Sequence, residues 1–248
     1  MSAPLVLVTR PDTVSAALTD RLAQAGLVPL ALPVIDIVPD PARLGRLAAE
    51  LVGCDWLVAV SPSAVSVCAD VLQALPPTLK LAAVGAGTAR ALTALTGRPV
   101  LFPTSGNDSE ALLACPELAD LHDRRFLVVK GRGGRPLLTE TLAARGARVV
   151  SIDAYERRPR PVDRAALAAA LAAHPRAGAV VTSREIANAL RDAVGEALWA
   201  SLQSIVHIVP HERVADRLRQ LGVHDVLTTS AGDDGIVAAL IEWFATHD

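Results

Sequence analysis

Short apolar runs of four or five residues alternate along the whole chain with longer stretches in which apolar side chains recur every three or four positions. Runs of the first kind, bounded by turn residues, read as buried strands, and stretches of the second kind have the spacing of one helical face. Leu5–Thr9 reads as the first strand. Val14, Leu18, Leu22 and Ala25 then mark a helical face that stops at Gly26. Further strands are expected at Leu57–Val60, Leu81–Val84, Phe126–Val129, Ala179–Thr182 and Ile205–Val209, each followed by a helix-period run. Gly97, Gly146 and Gly222 punctuate helix ends, and Asn107-Asp108-Ser109-Glu110 has capping-box spacing. Strand alternating with helix argues for an α/β fold of parallel sheets with crossover helices.

The pattern also repeats. LTDRLAQAG (Leu18 to Gly26) matches LTETLAARG (Leu138 to Gly146) without a gap at an offset of 120, and Ser61 in SPSAVSVCADVL lies opposite Ser183 in TSREIANALRDAV at 122. Thr104-Ser105 and the acidic helix start after them parallel Thr229-Ser230 and its successor at 125. Three islands with a slowly growing offset indicate an internal duplication and two similar lobes. Two proline-flanked extended stretches, Pro33 to Ile37 and Ser151 to Arg157, occupy equivalent repeat positions. They suit short strands that leave one lobe for the other and run side by side as a two-stranded hinge.

Parallel α/β sheets present ligands to the carboxyl ends of their strands, where loops feed helix N-termini. The loops there are Thr9-Arg10-Pro11, Ser61-Pro62-Ser63, Gly85 to Thr88, Lys130 to Arg135, Thr182-Ser183-Arg184 and Pro210 to Arg213. They combine hydroxyls, glycines and cations with fresh backbone N–H groups, which suits carboxylates or phosphates. Ser61, Ser63, Thr88 and Ser183 also fit plain helix caps. Gly85-x-Gly87 is followed by Arg90 where a dinucleotide fingerprint needs glycine, and KGRGGR lacks the ending of an ATP loop. The six histidines make no paired metal motif, and no G-x-S-x-G elbow is present. An anion-binding cleft between the lobes that works by positioning is what remains.

Composition removes further classes. Hydrophobic residues make up 51% of the 248 and charged residues 20%, a globular balance. With aromatics at 3% and a formal net charge of −2, neither stacking platforms nor a basic field for nucleic acid is expected. No apolar run approaches the roughly 20 residues of a bilayer span, and the N-terminus reads as a strand rather than a signal peptide. Cys54, Cys68 and Cys115 are odd in number and scattered, so they read as small buried hydrophobes in a reducing cytoplasm.

Six segments together carry a family resemblance: VTRP (Val8 to Pro11), SPSAV (Ser61 to Val65), AAVGAGTARAL (Ala82 to Leu92), VVKGRGGRPLL (Val128 to Leu138), AYERR (Ala154 to Arg158) and VVTSREIANAL (Val180 to Leu190). In order and spacing the chain resembles the uroporphyrinogen-III synthase family over essentially its whole length. The resemblance implies two α/β lobes with exchanged segments, one from residues 1–33 with 158–248 and the other from 38–151, joined by a two-stranded linker at 34–37 and 152–157. It implies a cyclising lyase of tetrapyrrole biosynthesis that uses no cofactor and no metal. The linear tetrapyrrole hydroxymethylbilane would lose water and close with inversion of its terminal pyrrole to give uroporphyrinogen III, by way of an azafulvene and a spiro intermediate.

The family's tyrosine corresponds to Tyr155, the only tyrosine in the chain, which would donate a hydrogen bond to the departing hydroxyl as a neutral phenol. Ser61, Ser63, Gly85, Thr88 and Ser183 would hold the substrate's carboxylates, with Arg10, Lys130, Arg132 and Arg213 as accompanying cations. The second repeat departs from the pattern, with Pro210-His211-Glu212-Arg213 where the first has Gly85-Ala86-Gly87-Thr88. The chain is expected to be a cytoplasmic monomer whose partner is the small substrate, with no nucleic acid and no membrane. The rival reading is a non-catalytic two-lobed protein that closes on an anionic small molecule.

Overall fold

The computed structural model describes residues 2–106, 108–229 and 232–247. The first repeat runs β1 (Leu5–Val8), α1 (Ala16–Gln24), β2 (Val28–Ala31), β3 (Ile35–Pro39), α2 (Pro41–Leu51), β4 (Trp56–Ala59), α3 (Pro62–Val67), α4 (Ala69–Leu72), β5 (Lys80–Ala83), α5 (Ala86–Thr96) and α6 (Ser109–Leu113). The second runs β6 (Arg125–Gly131), α7 (Leu137–Ala144), β7 (Arg148–Pro159), α8 (Arg164–Ala173), β8 (Ala177–Val180), α9 (Arg184–Val194), α10 (Glu196–Gln203), β9 (Val206–Val209), α11 (Glu212–Gln220), β10 (Val226–Thr228) and α12 (Gly232–Thr246). Each of the six strands expected from the apolar runs starts within two residues of its predicted position.

The chain divides into two compact units, Met1–Asp36 with Arg158–Asp248, and Ile37–Arg157. In the first unit the order is β2-β1-β8-β9-β10, with every pairing parallel. Its central strands are buried along their length, as the continuous apolar runs Leu5–Val8 and Ala177–Val180 require of a sheet covered on both faces. One face packs Val6, Val8, Val180 and Ile208 against Leu18 and Leu22 of α1 and Ile236 and Leu240 of α12.

In the second unit the order is β3-β7-β6-β4-β5, parallel from β7 to β5. Alternation along its strands divides the core. Leu57, Ala59, Leu127 and Val129 face one way with Leu72 and Leu92, while Val58, Phe126 and Val128 face the other with Leu112 and Leu142.

The two sheets are the same sheet built from opposite ends of the repeat. At an offset of 126, Ile208 pairs with Leu227 where Ala82 makes a single parallel bridge to Leu101. Each unit therefore takes its β1-type or β6-type strand–helix–strand opening from one repeat and its remaining strands from the other.

The extended stretches differ from expectation. β2 and β3, with the three residues between them, span the 12 positions that correspond, 120 residues on, to β7, which is one continuous 12-residue strand rather than a short crossover. Pro33 interrupts the first copy; the residue 120 positions later is Asp153, so the second ladder continues. The chain passes between units inside β3 and inside β7. These strands are neighbours and antiparallel, since Arg160 N–H donates to the Val34 carbonyl while Asp40 N–H donates to that of Ala154.

Helix ends follow local chemistry. Gly97 closes α5 in the left-handed conformation, and Gly146 and Gly222 adopt positive φ just past α7 and α11. The capping box is displaced by one residue. Asp108 caps α6 by accepting from Ala111 N–H, and Glu110 turns outward to Arg135; Asn107, like Ser230 of the second Thr-Ser pair, lies outside the described residues. The three cysteines are free, and burial pushes the Cys68 thiol up to about 11, a small hydrophobe in behaviour.

Candidate active site

An open parallel sheet binds ligands where neighbouring strands send their connections in opposite directions, because only there do the strand-end loops diverge and leave a crevice. The order of the second unit puts that point between β4 and β6, and the order of the first puts it between β1 and β8. The residues at these carboxyl ends are Ser61 and Gly131-Arg132 in one unit, Thr9-Arg10 and Ser183 in the other.

Ser61 is the N-cap of α3. Its Oγ accepts from Ala64 N–H at 3.1 Å, and Pro62 occupies the first helical position, where its missing N–H costs nothing. The same Oγ lies 2.9 Å from the Tyr155 hydroxyl, and either oxygen can donate. The Arg157 guanidinium donates to that hydroxyl at 2.9 Å and lies over the ring, its carbon 5.1 Å from the centroid. Tyr155 is 1% exposed, whereas Ser61 is partly open at the strand end.

Two backbone features place the tyrosine. Lys130 pairs with Asp153 but Gly131 pairs with Tyr155, so β7 carries one extra residue here. This bulge breaks strict alternation and lets the consecutive residues Ala154 and Tyr155 join the same core face as Ile152. To reach Ser61 beyond β4, the Tyr155 ring must cross β6, and it crosses at Gly131. A Cβ on Gly131 would lie 2.7 Å from the Tyr155 Cζ and 3.0 Å from its oxygen. The sequence groups Gly131 with an anion-binding loop; its structural reason is the ring beside it, a contact that spacing alone does not reveal.

The other predicted residues divide. Ser63 and Thr88 are buried inside the first turns of α3 and α5 and are not caps. Gly85 is the N-cap of α5 and provides no side-chain cap. Lys130 donates to Asp153 at 2.6 Å and to the Gly133 carbonyl, and Arg132 bridges to Glu156 at 3.2 Å. In the first unit Arg10 pairs with Asp233 at 2.7 Å, and buried Thr9 donates to the Val180 carbonyl at 2.6 Å. Ser183 caps α9 through Ile186 N–H at 3.1 Å. Arg213 is exposed on α11, whose N-cap is His211. Arg10, Lys130 and Arg132 thus already hold carboxylates of the chain, and an arriving carboxylate must compete with those.

A recess of about 630 Å³ in the first unit, lined among others by Val34, Arg160, Arg164 and Asp192, contains none of the predicted residues. Among the described residues no cluster of His, Cys, Asp or Glu is arranged to hold a metal ion, and no helix is long and apolar enough to cross a membrane.

Residues 16–238 match the family model described as uroporphyrinogen-III synthase HemD. The chain is 33% identical over 246 residues to the uroporphyrinogen-III synthase of Escherichia coli (strain K12), covering 95% of this chain and 99% of that one. Identity to the Salmonella typhimurium enzyme of the same name is also 33%, with the same coverage. Among solved structures, a mutant uroporphyrinogen III synthase from the extremely thermophilic bacterium Thermus thermophilus shares the fold with a TM-score of 0.62 at 21% identity, covering 98% of both chains. Uroporphyrinogen-III synthetase from Helicobacter pylori 26695 does so with a TM-score of 0.60 at 14% identity, covering 96% of this chain and 99% of that one.

Proposed function

This chain belongs to the uroporphyrinogen-III synthase family, and on that basis we propose that it converts hydroxymethylbilane to uroporphyrinogen III in the cytoplasm. The observation that carries the reading to particular atoms is the Ser61–Tyr155–Arg157 hydrogen-bond chain at the switch point of the second unit. Loss of the substrate's hydroxyl as water needs a proton at that oxygen, and a hydroxyl within hydrogen-bond reach can supply one. The remaining work is conformational. A flexible bilane closes most readily without inverting its terminal ring, so the enzyme must hold the less accessible fold. Orientation of that kind supplies about 7–11 kcal/mol in well-aligned cases.

We assign the substrate's carboxylates to Ser63, Gly85, Thr88 and Ser183 with Arg10, Lys130, Arg132 and Arg213. For the paired cations, binding means exchange of an internal carboxylate for an external one, which favours a ligand with several acidic arms over one with a single arm. The test is to supply freshly made hydroxymethylbilane and separate the products. Type III product above the spontaneous background is expected; the uninverted type I product alone overturns the proposal.

A further inference from the structure

We propose that Ser61, rather than Tyr155, is the hydroxyl that touches the departing oxygen, and that Tyr155 and Arg157 act through it. The inference deepens the reading above and rests on it. Ser61 Oγ accepts from Ala64 N–H, and Tyr155 Oη accepts from Arg157. Each oxygen thus has a donor behind it, and one proton lies between them at 2.9 Å. If Ser61 donates inward, the remaining hydroxyl proton belongs to Tyr155, which is 1% exposed and packed with Ile152, Ala154 and Leu57. If Tyr155 donates to Ser61, the remaining proton belongs to Ser61 at an open strand end. Only the second arrangement presents a proton to a bound molecule without moving the core.

The step balances as a two-proton relay. The substrate's C–O bond breaks as its pyrrole nitrogen lone pair forms the azafulvenium. The Ser61 Oγ proton goes to the leaving oxygen to make water, and the Tyr155 Oη proton moves to Ser61 Oγ. The phenolate left behind is held by the Arg157 guanidinium, whose fixed charge is already in place before reaction. After reclosure, the proton lost from the terminal pyrrole carbon returns through Ser61 to Tyr155. Gly131 and the β7 bulge are positioning features, since they set the ring on the line from Arg157 to Ser61.

A double-mutant cycle on the full chain tests this. Tyr155→Phe and Ser61→Gly should each lower kcat by about a hundredfold with little change in KM, the ordinary size of a general-acid loss. The double variant should be no slower than either single, because one relay is removed once. Ser61→Thr keeps the hydroxyl and should restore most of the rate. Glycine is chosen because it is itself an acceptable N-cap; should that variant fail to fold by circular dichroism, the Tyr155–Arg157 cycle leaves the cap untouched. There, Arg157→Gln should lower kcat about tenfold in the wild type, be partly rescued by Arg157→Lys, and have no effect when Tyr155 is already Phe. Wild-type kcat in Ser61→Gly, or losses that multiply in either cycle, overturn the relay. Type I product alone from the wild-type chain overturns the family reaction instead, so the two failures are distinct.

Discussion

Ser61 and Ser183 occupy the same place in the two units and are built alike. Their backbone angles are −152°, 158° and −152°, 159°, and each accepts from the amide three residues on at 3.1 Å. What surrounds them differs. At the repeat offset of 120, Tyr155 corresponds to Ile35, Arg157 to Ile37 and Gly131 to Pro11; at 126, the offset that matches the N-caps Gly85 and His211, Thr88 corresponds to Val214 and not, as the ungapped sequence pattern suggests, to Arg213. Ile35 and Val214 are buried apolar residues. The scaffold and its cap were kept in both copies, and the polar chain leading inward from the cap is present in one. A duplicated fold supplies two equivalent crevices, and a few side chains decide which can move a proton.

The most direct way to erase that difference is to give the second unit the residue of the first. Tyr155→Ile removes the phenol, takes an acceptor from Arg157 and opens space in the core beside Leu57 and Ile152. The expected loss is about 10²–10⁴-fold in type III formation, with stability lower by about 2–4 kcal/mol in urea titration. Retention of both near wild-type values would mean that the contrast at Ser61 and Ser183 has no functional content.

The contrast runs the other way at β5 and β9. His207 is fully buried at the position where the second unit has Leu81. Its Nδ1 lies 3.1 Å from the Ile205 carbonyl, while Nε2 has no partner. Burial pushes its pKa down to about 4 from 6.5, against a smaller opposing effect of the Ile205 hydrogen bond. The unfolded chain therefore binds the proton more readily than the folded one. The proton-linked cost of His207 is absent well above pH 6.5, and stability is lost as pH falls through that value toward about 4, by a total of about 3 kcal/mol at 1.36 kcal/mol per pH unit. Urea midpoints from pH 7 to pH 4 should show that loss, and His207→Leu should flatten it. An unchanged profile in His207→Leu would assign acid sensitivity elsewhere.

Gly131→Ala probes the same tyrosine at smaller scale. The new Cβ meets the Tyr155 ring below any normal contact distance, so the ring must shift away from Ser61. A cost of about 1–3 kcal/mol is expected, together with a fall in turnover. Gly87→Ala in α5 is the matching control: its Cβ meets nothing within 4 Å, and it should leave stability equal or raise it by up to about 1 kcal/mol.

How much of this is legible in the sequence varies by element. Runs such as Leu57–Val60 declare themselves because a strand buried on both faces must be continuously apolar. β2 escapes the pattern, since Val28–Ala31 contains Pro29 and is only partly buried, and β10 is three residues long. The repeat is legible, but the exchange of segments rests on family resemblance, because pattern does not say which strand pairs with which. Tyr155 stands out as the only tyrosine in the chain, and its role comes from the resemblance. Its partners are hidden, as Ser61 lies 94 residues away and the bulge leaves no mark in a period-two pattern. The pairing of Arg10 with Asp233, 223 residues apart, is equally invisible.

The smallest effect separates structure from chemistry most cleanly. Ser61→Ala and Ser183→Ala each remove a cap in the same geometry, leaving one helix-start amide without its acceptor. Each should therefore destabilise its unit by about 1 kcal/mol. If capping were all that either serine does, the two variants would also have similar turnover. The hydrogen-bond chain behind Ser61 predicts otherwise: Ser61→Ala should lose far more in kcat than its stability loss explains, while Ser183→Ala, with no tyrosine behind it, should show its effect in KM through a weaker carboxylate contact. Equal kcat in the two variants, measured well below their melting temperatures, would return both serines to the status of caps and leave the proton source unidentified.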